Sequence, residues 1–208
     1  VELARHAQDA GAYAVASVPP YYYRHSEDAV VRYFEELARA VSIPVYAYNN
    51  PQRVGYAITP ELAARLKQVG VVGVKDSSFD VLTFLDFKLA AGDDFDVVVG
   101  TEALMLPTYV LGARAFIPGM SNYLPELVFE LYRKLEEGDF TKARELQLRV
   151  SDLRRRLHKL GSPIALTYVL LEMRGIKVGY PRRPLLPPSR ELVEKLSQEL
   201  APLLRAGP

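Results

Sequence analysis

The chain has 208 residues, 49% of them hydrophobic and 25% charged, the composition of a globular domain with a sizeable core. Its formal net charge of +1 lacks the basic excess of a nucleic-acid binder, and with no cysteine there can be no disulfide, thiol catalysis or thiolate metal site. No apolar run approaches membrane-spanning length and no signal peptide opens the chain, so the expectation is a cytoplasmic protein with neither membrane nor nucleic acid as partner.

Taken in order, Val1 to Asp9 reads as a helix ended by Gly11. It opens without Met or cap, so either the protein begins unusually or part of it precedes Val1. AYAVASVPPYYY follows as a strand stopped by Pro19 and Pro20. Ser26 caps a helix running to about Val41, with acids in its first turn. IPVYAYNNP is a second strand, broken by Pro51. Thr59 and Pro60 start the next helix. VVGVKDSS is a third strand, with its helix from Asp80 to Ala91. FDVVVG is a fourth, ending at Gly100, with Glu102 to Leu111 helical. ARAFIPG is a fifth, followed by a helix from about Leu124 to Glu137. After Gly138 only helices are expected: Phe140 to Lys159, Pro163 to Arg174 and, beyond a Pro-rich stretch, Glu191 to Leu204.

Five strand–helix alternations indicate a parallel α/β domain. A doubly wound nucleotide-binding sheet should carry a Gly-rich turn after its first strand, and VPPYYY is no such turn. A (β/α)8 TIM barrel fits better, because each strand ends in side chains suited to a shared site: Tyr21 to Tyr23, Tyr48 with Asn49, Lys75, Gly100 to Glu102, and Ile117 to Gly119. A whole barrel needs about 250 residues, so this chain should hold the last five of eight strands, residues 1–137, followed by a three-helix extension, 138–208.

The three histidines, His6, His25 and His158, have no metal-ligand spacing, and neither a nucleophile elbow nor a phosphate loop is present. Amine chemistry remains. A lysine at a strand tip becomes a nucleophile when its surroundings lower its pKa. Strand alternation places Val71, Gly73 and Lys75 on one face, and Tyr46 and Tyr48 on one face. If these strands are neighbours, the Tyr48 hydroxyl and the Lys75 amine can meet at one mouth. Tyrosine could relay protons there, or Tyr48 could simply fill the barrel.

YNNPQRVG at Tyr48 to Gly55 and GVKDSS at Gly73 to Ser78 resemble two signatures of the dihydrodipicolinate synthase / N-acetylneuraminate lyase family. VPPYYYR, VVVGTEA and FIPGMSNYLPE fall in that family's order around them. The resemblance covers essentially the whole chain. It implies a Schiff-base-forming, class I, pyruvate-dependent aldolase: a (β/α)8 barrel with three C-terminal helices, assembled as a homotetramer. Lys75 would be the imine-forming lysine, Tyr48 the proton carrier, and Tyr22 the tyrosine completing the relay from a neighbouring subunit. The covalent imine replaces any separate cofactor, and no metal is implied. The substrates would be pyruvate with an aldehyde, or a 2-keto acid.

Two substrates compete. SNYLPE at Ser121 to Glu126 and the spaced match GS…YVL…RG…VGYPRRPLLP look like the archaeal-type 2-keto-3-deoxygluconate aldolases. In that reading Asn50, Ser77, Thr101 and Glu102 line a pocket for a polyhydroxylated chain, with Gly100 and Ile117 at neighbouring strand tips. Ser77 and Glu102 replace the threonine and aspartate usual there. Arg53 departs from that pattern. It matches the arginine with which dihydrodipicolinate synthases hold the carboxylate of aspartate semialdehyde, a suitable job for a guanidinium. Against this, Gly161-Ser162-Pro163 stands where synthases show Asn-Pro-x-Pro-x-Lys, and the motifs together favour the sugar-acid reading. A reading of another class also follows. The family's GTTGE-like segment for the pyruvate carboxylate would precede Val1, so a chain lacking it would be an inactive fragment or scaffold. Intact mass separates the two: 23.3 kDa for these residues alone, or about 32 kDa with about 80 more.

Overall fold

Four strand–helix steps follow one another from the N-terminus. The computed structural model describes residues 1–186 and 188–204. They form two compact units, Val1–Ile117 and the residues from Pro118 onward.

In the first unit α1 (Glu2–Asp9) leads into β1 (Val15–Ser17), then α2 (Glu27–Ala40), β2 (Val45–Asn49), α3 (Pro51–Val54) and α4 (Pro60–Gln68). β3 (Val71–Asp76), α5 (Val81–Ala91), β4 (Asp96–Val99) and α6 (Met105–Val110) complete it, with a 3-10 turn at Glu102–Leu104. The helix starts are where the capping residues put them. Ser26 accepts a hydrogen bond from the Ala29 amide at 3.3 Å, Thr59 from Leu62 at 3.1 Å, and Asp80 from Leu82 at 3.0 Å. Pro51 does more than break β2. It opens α3, which Gly55 closes at φ 90°.

All four strands are parallel and lie in the order β1-β2-β3-β4. Sequential order belongs to a barrel wall; a doubly wound sheet reverses direction at a switch point. One face carries the helices. Phe34 and Leu37 of α2, Leu62 and Leu66 of α4, and Phe84 and Phe87 of α5 bury against Val45, Ala47, Val71, Val74, Val97 and Val99. The strands are thus part of a (β/α)8 barrel wall, and their other face carries the polar side chains. Phe87 is fully buried in this layer, so Phe87→Ala is expected to cost about 3–5 kcal/mol of unfolding free energy. Chemical denaturation measures it; a loss under about 1 kcal/mol would show the site collapsing around the gap.

Two expectations need correction. Val71 does not share a face with Lys75. Opposite β2, Val45 pairs with Val71 but Tyr46 pairs with Gly73, so Val72 is an extra residue in β3. Such a bulge moves everything before it to the other face, and Val71 joins the core. The fifth strand is reduced to one bridge, Val99 with Phe116. The Val99 amide donates to the Ala115 carbonyl at 3.0 Å and the Ile117 amide to the Val99 carbonyl at 2.9 Å. Pro118 follows at once with no N–H to continue the ladder.

In the second unit α7 (Pro125–Glu136) packs on α8 (Phe140–His158), α8 on α9 (Pro163–Met173), and α9 on α10 (Arg190–Leu204). Ala143, Leu146, Val150, Leu153 and Leu157 give α8 one buried stripe at alternating three- and four-residue steps. No helix among the described residues is long and apolar enough to cross a membrane.

Candidate active site

The site begins with register. β2 and β3 pair Tyr48 with Lys75, and β3 and β4 pair Lys75 with Val98. Side chains directly opposite on a sheet point to the same side. The Lys75 ammonium accordingly sits over the Tyr48 ring, 4.1 Å from its centroid. One layer down, Tyr46 pairs with Gly73 and Gly73 with Asp96. Gly73 is required there, because a Cβ would lie 2.5 Å from the Asp96 carbonyl oxygen and 2.6 Å from the Tyr46 ring.

The two tyrosines of this face have opposite surroundings. Tyr46 donates to Asp96 at 3.0 Å. Burial and that carboxylate push its pKa up to about 12, so it stays a neutral donor. Burial raises Tyr48 too, but there it is outweighed. The Ser77 hydroxyl, the Lys75 charge and the Asn50 amide all favour the phenolate and hold Tyr48 below the ordinary tyrosine value. Asn50 donates to the Tyr48 oxygen at 3.0 Å and Ser77 at 3.5 Å. Neighbouring groups pushed apart in this way mark out which can carry a proton and which is structural.

Gly100 lets the β3 and β4 tips close. Its amide donates to the Asp76 carbonyl at 2.7 Å, and a Cβ would fall 2.2 Å from Ser77 Oγ. Behind the tips, on the helix side, lie Asn49 and Asp76, both buried. Asn49 Nδ2 donates to Asp76 Oδ1 at 2.7 Å, and Asn49 Oδ1 accepts from the Ile58 amide at 2.9 Å. Asp76 was not among the expected site residues, and Asn49, expected beside Tyr48 at the shared site, faces the buried side of the sheet instead. The signal was available: each is a polar residue at a core-facing position of its strand, one step from Tyr48 or Lys75.

The structure therefore brings together Tyr48, Lys75, Asn50, Ser77 and Gly100. Thr101 is buried and caps the 3-10 turn by accepting from the Ala103 amide at 3.2 Å, with Glu102 buried next to it. Arg53 is exposed on α3, its side chain in no ion pair among the described residues. Ile117 is 55% exposed just past the Val99 bridge. Tyr22 is 86% exposed, in left-handed backbone at φ 79°, its ring edge-on to Tyr23. No hydrogen bond, ion pair or ring contact among the described residues joins Arg53 or Tyr22 to Lys75 or Tyr48. Among the described residues no three His, Cys, Asp or Glu side chains gather as metal ligands.

Comparison with known proteins finds relatives along nearly the whole chain. Residues 1–202 match the model of the dihydrodipicolinate synthetase family. A curated 4-hydroxy-tetrahydrodipicolinate synthase from Methanopyrus kandleri is 35% identical over 205 residues, 98% of this chain and 68% of that protein. Among solved structures, YagE, a prophage protein of the dihydrodipicolinic acid synthase family from E. coli K12 in complex with pyruvate, superposes with a TM-score of 0.89 at 27% identity. It covers 97% of this chain and 70% of its own. A variant of 2-keto-3-deoxygluconate aldolase from Sulfolobus solfataricus gives 0.87 at 30% identity, over 97% of this chain and 68% of its own.

Proposed function

This chain belongs to the dihydrodipicolinate synthetase family, carbon–carbon lyases of the class I pyruvate-dependent aldolase type, and from that premise we propose that it joins pyruvate to an aldehyde through an imine on Lys75. The observation that carries this reading is the Tyr48–Lys75 pair, an amine held over a tyrosine whose phenolate is favoured.

The Lys75 amine adds to the keto carbon of pyruvate, and the resulting carbinolamine loses water to give a protonated imine. Tyr48 supplies and removes the protons of these steps from its place beside the amine. The cationic nitrogen then accepts the electron pair left when carbon 3 loses a proton. The enamine so formed attacks the aldehyde carbon, whose oxygen takes a proton. Hydrolysis of the imine releases the product and restores Lys75. Run backwards, the same steps cleave a 2-keto acid. The lysine nitrogen is the electron sink, so the proposed cycle calls on no pyridoxal phosphate or metal. In the same reading the exposed Tyr22 reaches a neighbouring subunit of a homotetramer.

For the aldehyde, the geometry supports one bearing a carboxylate, as in 4-hydroxy-tetrahydrodipicolinate synthesis. Of the side chains suited to sugar hydroxyls, Ser77, Thr101 and Glu102 are all at most 4% exposed, and Thr101 is committed to its cap. Arg53, four residues past the β2 tip, is exposed and has a guanidinium in no ion pair among the described residues. Arg53→Ala should then lose condensation with aspartate semialdehyde by about 2–5 kcal/mol in kcat/KM, the scale for a truncated charge pair. Its capture of pyruvate should be unchanged. A second reading, cleavage of 2-keto-3-deoxygluconate, is favoured by the likeness to the Sulfolobus aldolase. Assaying both substrates side by side decides between them. An enzyme that cleaves the sugar acid and ignores the semialdehyde excludes the first.

The Tyr48 role has a pH signature. Ser77→Ala removes a donor that favours the phenolate, so the Tyr48 pKa should rise toward its ordinary value. A rate that needs the phenolate must then climb at higher pH. The ascending limb of kcat against pH is expected to move to the alkaline side; a limb that stays put would take Tyr48 out of the proton path.

A further inference from the structure

We propose that Asn49 and Asp76 form a latch on the helix side of the sheet that positions Tyr48 and Lys75 on the other; the inference rests on the imine reading above. The two latch residues are directly opposite in register, one residue beyond the reactive pair. Strand alternation means that whatever locks them on one side orients Tyr48 and Lys75 on the other.

The lock has several bonds. Asp76 Oδ1 accepts from Asn49 Nδ2 at 2.7 Å and from the Ser78 amide at 3.2 Å, while Oδ2 accepts from Ser78 Oγ at 2.7 Å. Asn49 ties back through Oδ1 to the Ile58 amide, just before α4. The backbone adds the Ser77 amide donating to the Asn49 carbonyl at 2.8 Å, and Gly100 donating to Asp76. The tips of β2, β3 and β4 are thereby joined. The turn that Asp76 makes with Ser78 also sets the course of Ser77, whose hydroxyl reaches Tyr48.

A buried carboxylate among apolar helices is costly, since burial disfavours its charged form. A purely structural contact there could be apolar with little loss of stability. A fully satisfied polar pair specifies one geometry instead, and catalysis that depends on two aligned groups needs that. Asn49 and Asp76 touch no substrate in this account. They are positioning residues.

The test follows turnover and borohydride capture of pyruvate in the purified enzyme and its variants. Asp76→Asn keeps an oxygen for Asn49 and the Ser78 amide and offers its own amide to Ser78 Oγ. It should keep kcat within about threefold. The double variant Asn49→Leu/Asp76→Leu removes both polar partners while keeping the branched shape and the number of side-chain heavy atoms. It should melt cooperatively, yet lose at least about tenfold in kcat and capture rate with KM for pyruvate within about threefold. If the double variant does not fold, Asn49→Ser, too short to reach Asp76, takes its place with the same expectation. Parent-like turnover in the folded latch variant overturns the proposal. So does an Asp76→Asn enzyme as impaired as that variant, since the charge and not the geometry would then matter. No Lys75 adduct in the parent would overturn the imine reading itself. Adduct formation in the parent with unaffected latch variants overturns the latch alone.

Discussion

Lys75→Ala is expected to abolish turnover, by on the order of 10⁴-fold or more, as removal of a covalent nucleophile does. It should also abolish the adduct formed with pyruvate and borohydride. The expectation rests on position. Lys75 stands at the β3 tip, on the face away from the packed helices and over the Tyr48 ring. Its neighbours on the core face, Val74 and Asp76, are buried. Peptide mapping of the reduced adduct checks the assignment. An adduct that survives Lys75→Ala would move the imine to another amine and remove the basis of the proposed function.

Tyr48→Phe is expected to slow turnover by about 10²–10⁴-fold, the usual contribution of a placed general acid–base. This substitution is informative because phenylalanine keeps the ring beneath the ammonium. The contact at 4.1 Å is preserved, and only the hydroxyl held by Asn50 and Ser77 is lost. Pyruvate should still be captured on Lys75, more slowly. Single-turnover capture alongside steady-state rates separates binding from proton transfer. Unchanged turnover would make Tyr48 a space-filling side chain of the barrel wall, like its neighbour Tyr46.

That comparison between two tyrosines shows where the sequence stops. VYAYNN places Tyr46 and Tyr48 on one face by simple alternation, and alternation does not tell them apart. Apart from the Asn50 amide, which reaches only Tyr48, the difference comes from partners far along the chain: Asp96, on β4, for one, and Lys75 and Ser77, at the end of β3, for the other. Arg53 was legible as a residue of interest from its place in YNNPQRVG. That its guanidinium is in no ion pair among the described residues, while Ser77 and Thr101 are buried, is a matter of packing, and in the proposed function it favours an aldehyde bearing a carboxylate. The expectation that Val71 shares the face of Lys75 failed for a similar reason. A bulge is a disagreement between two strands, invisible in either one.

The sequence by itself determined the local matters. Ser26, Thr59 and Asp80 start their helices because each offers an oxygen to amides that have no other partner. Alternating strands and helices require parallel pairing, and the lysine at a strand tip was readable as a candidate nucleophile. Tertiary structure alone decided how the strands register, and so which hydroxyl faces Lys75 and which polar pair braces it from behind. The physical reason is the same in each case. Caps and periodicities depend on neighbours within a turn or two of the chain, whereas register, burial and the balance of charge around a phenol depend on residues that only folding brings within hydrogen-bond distance.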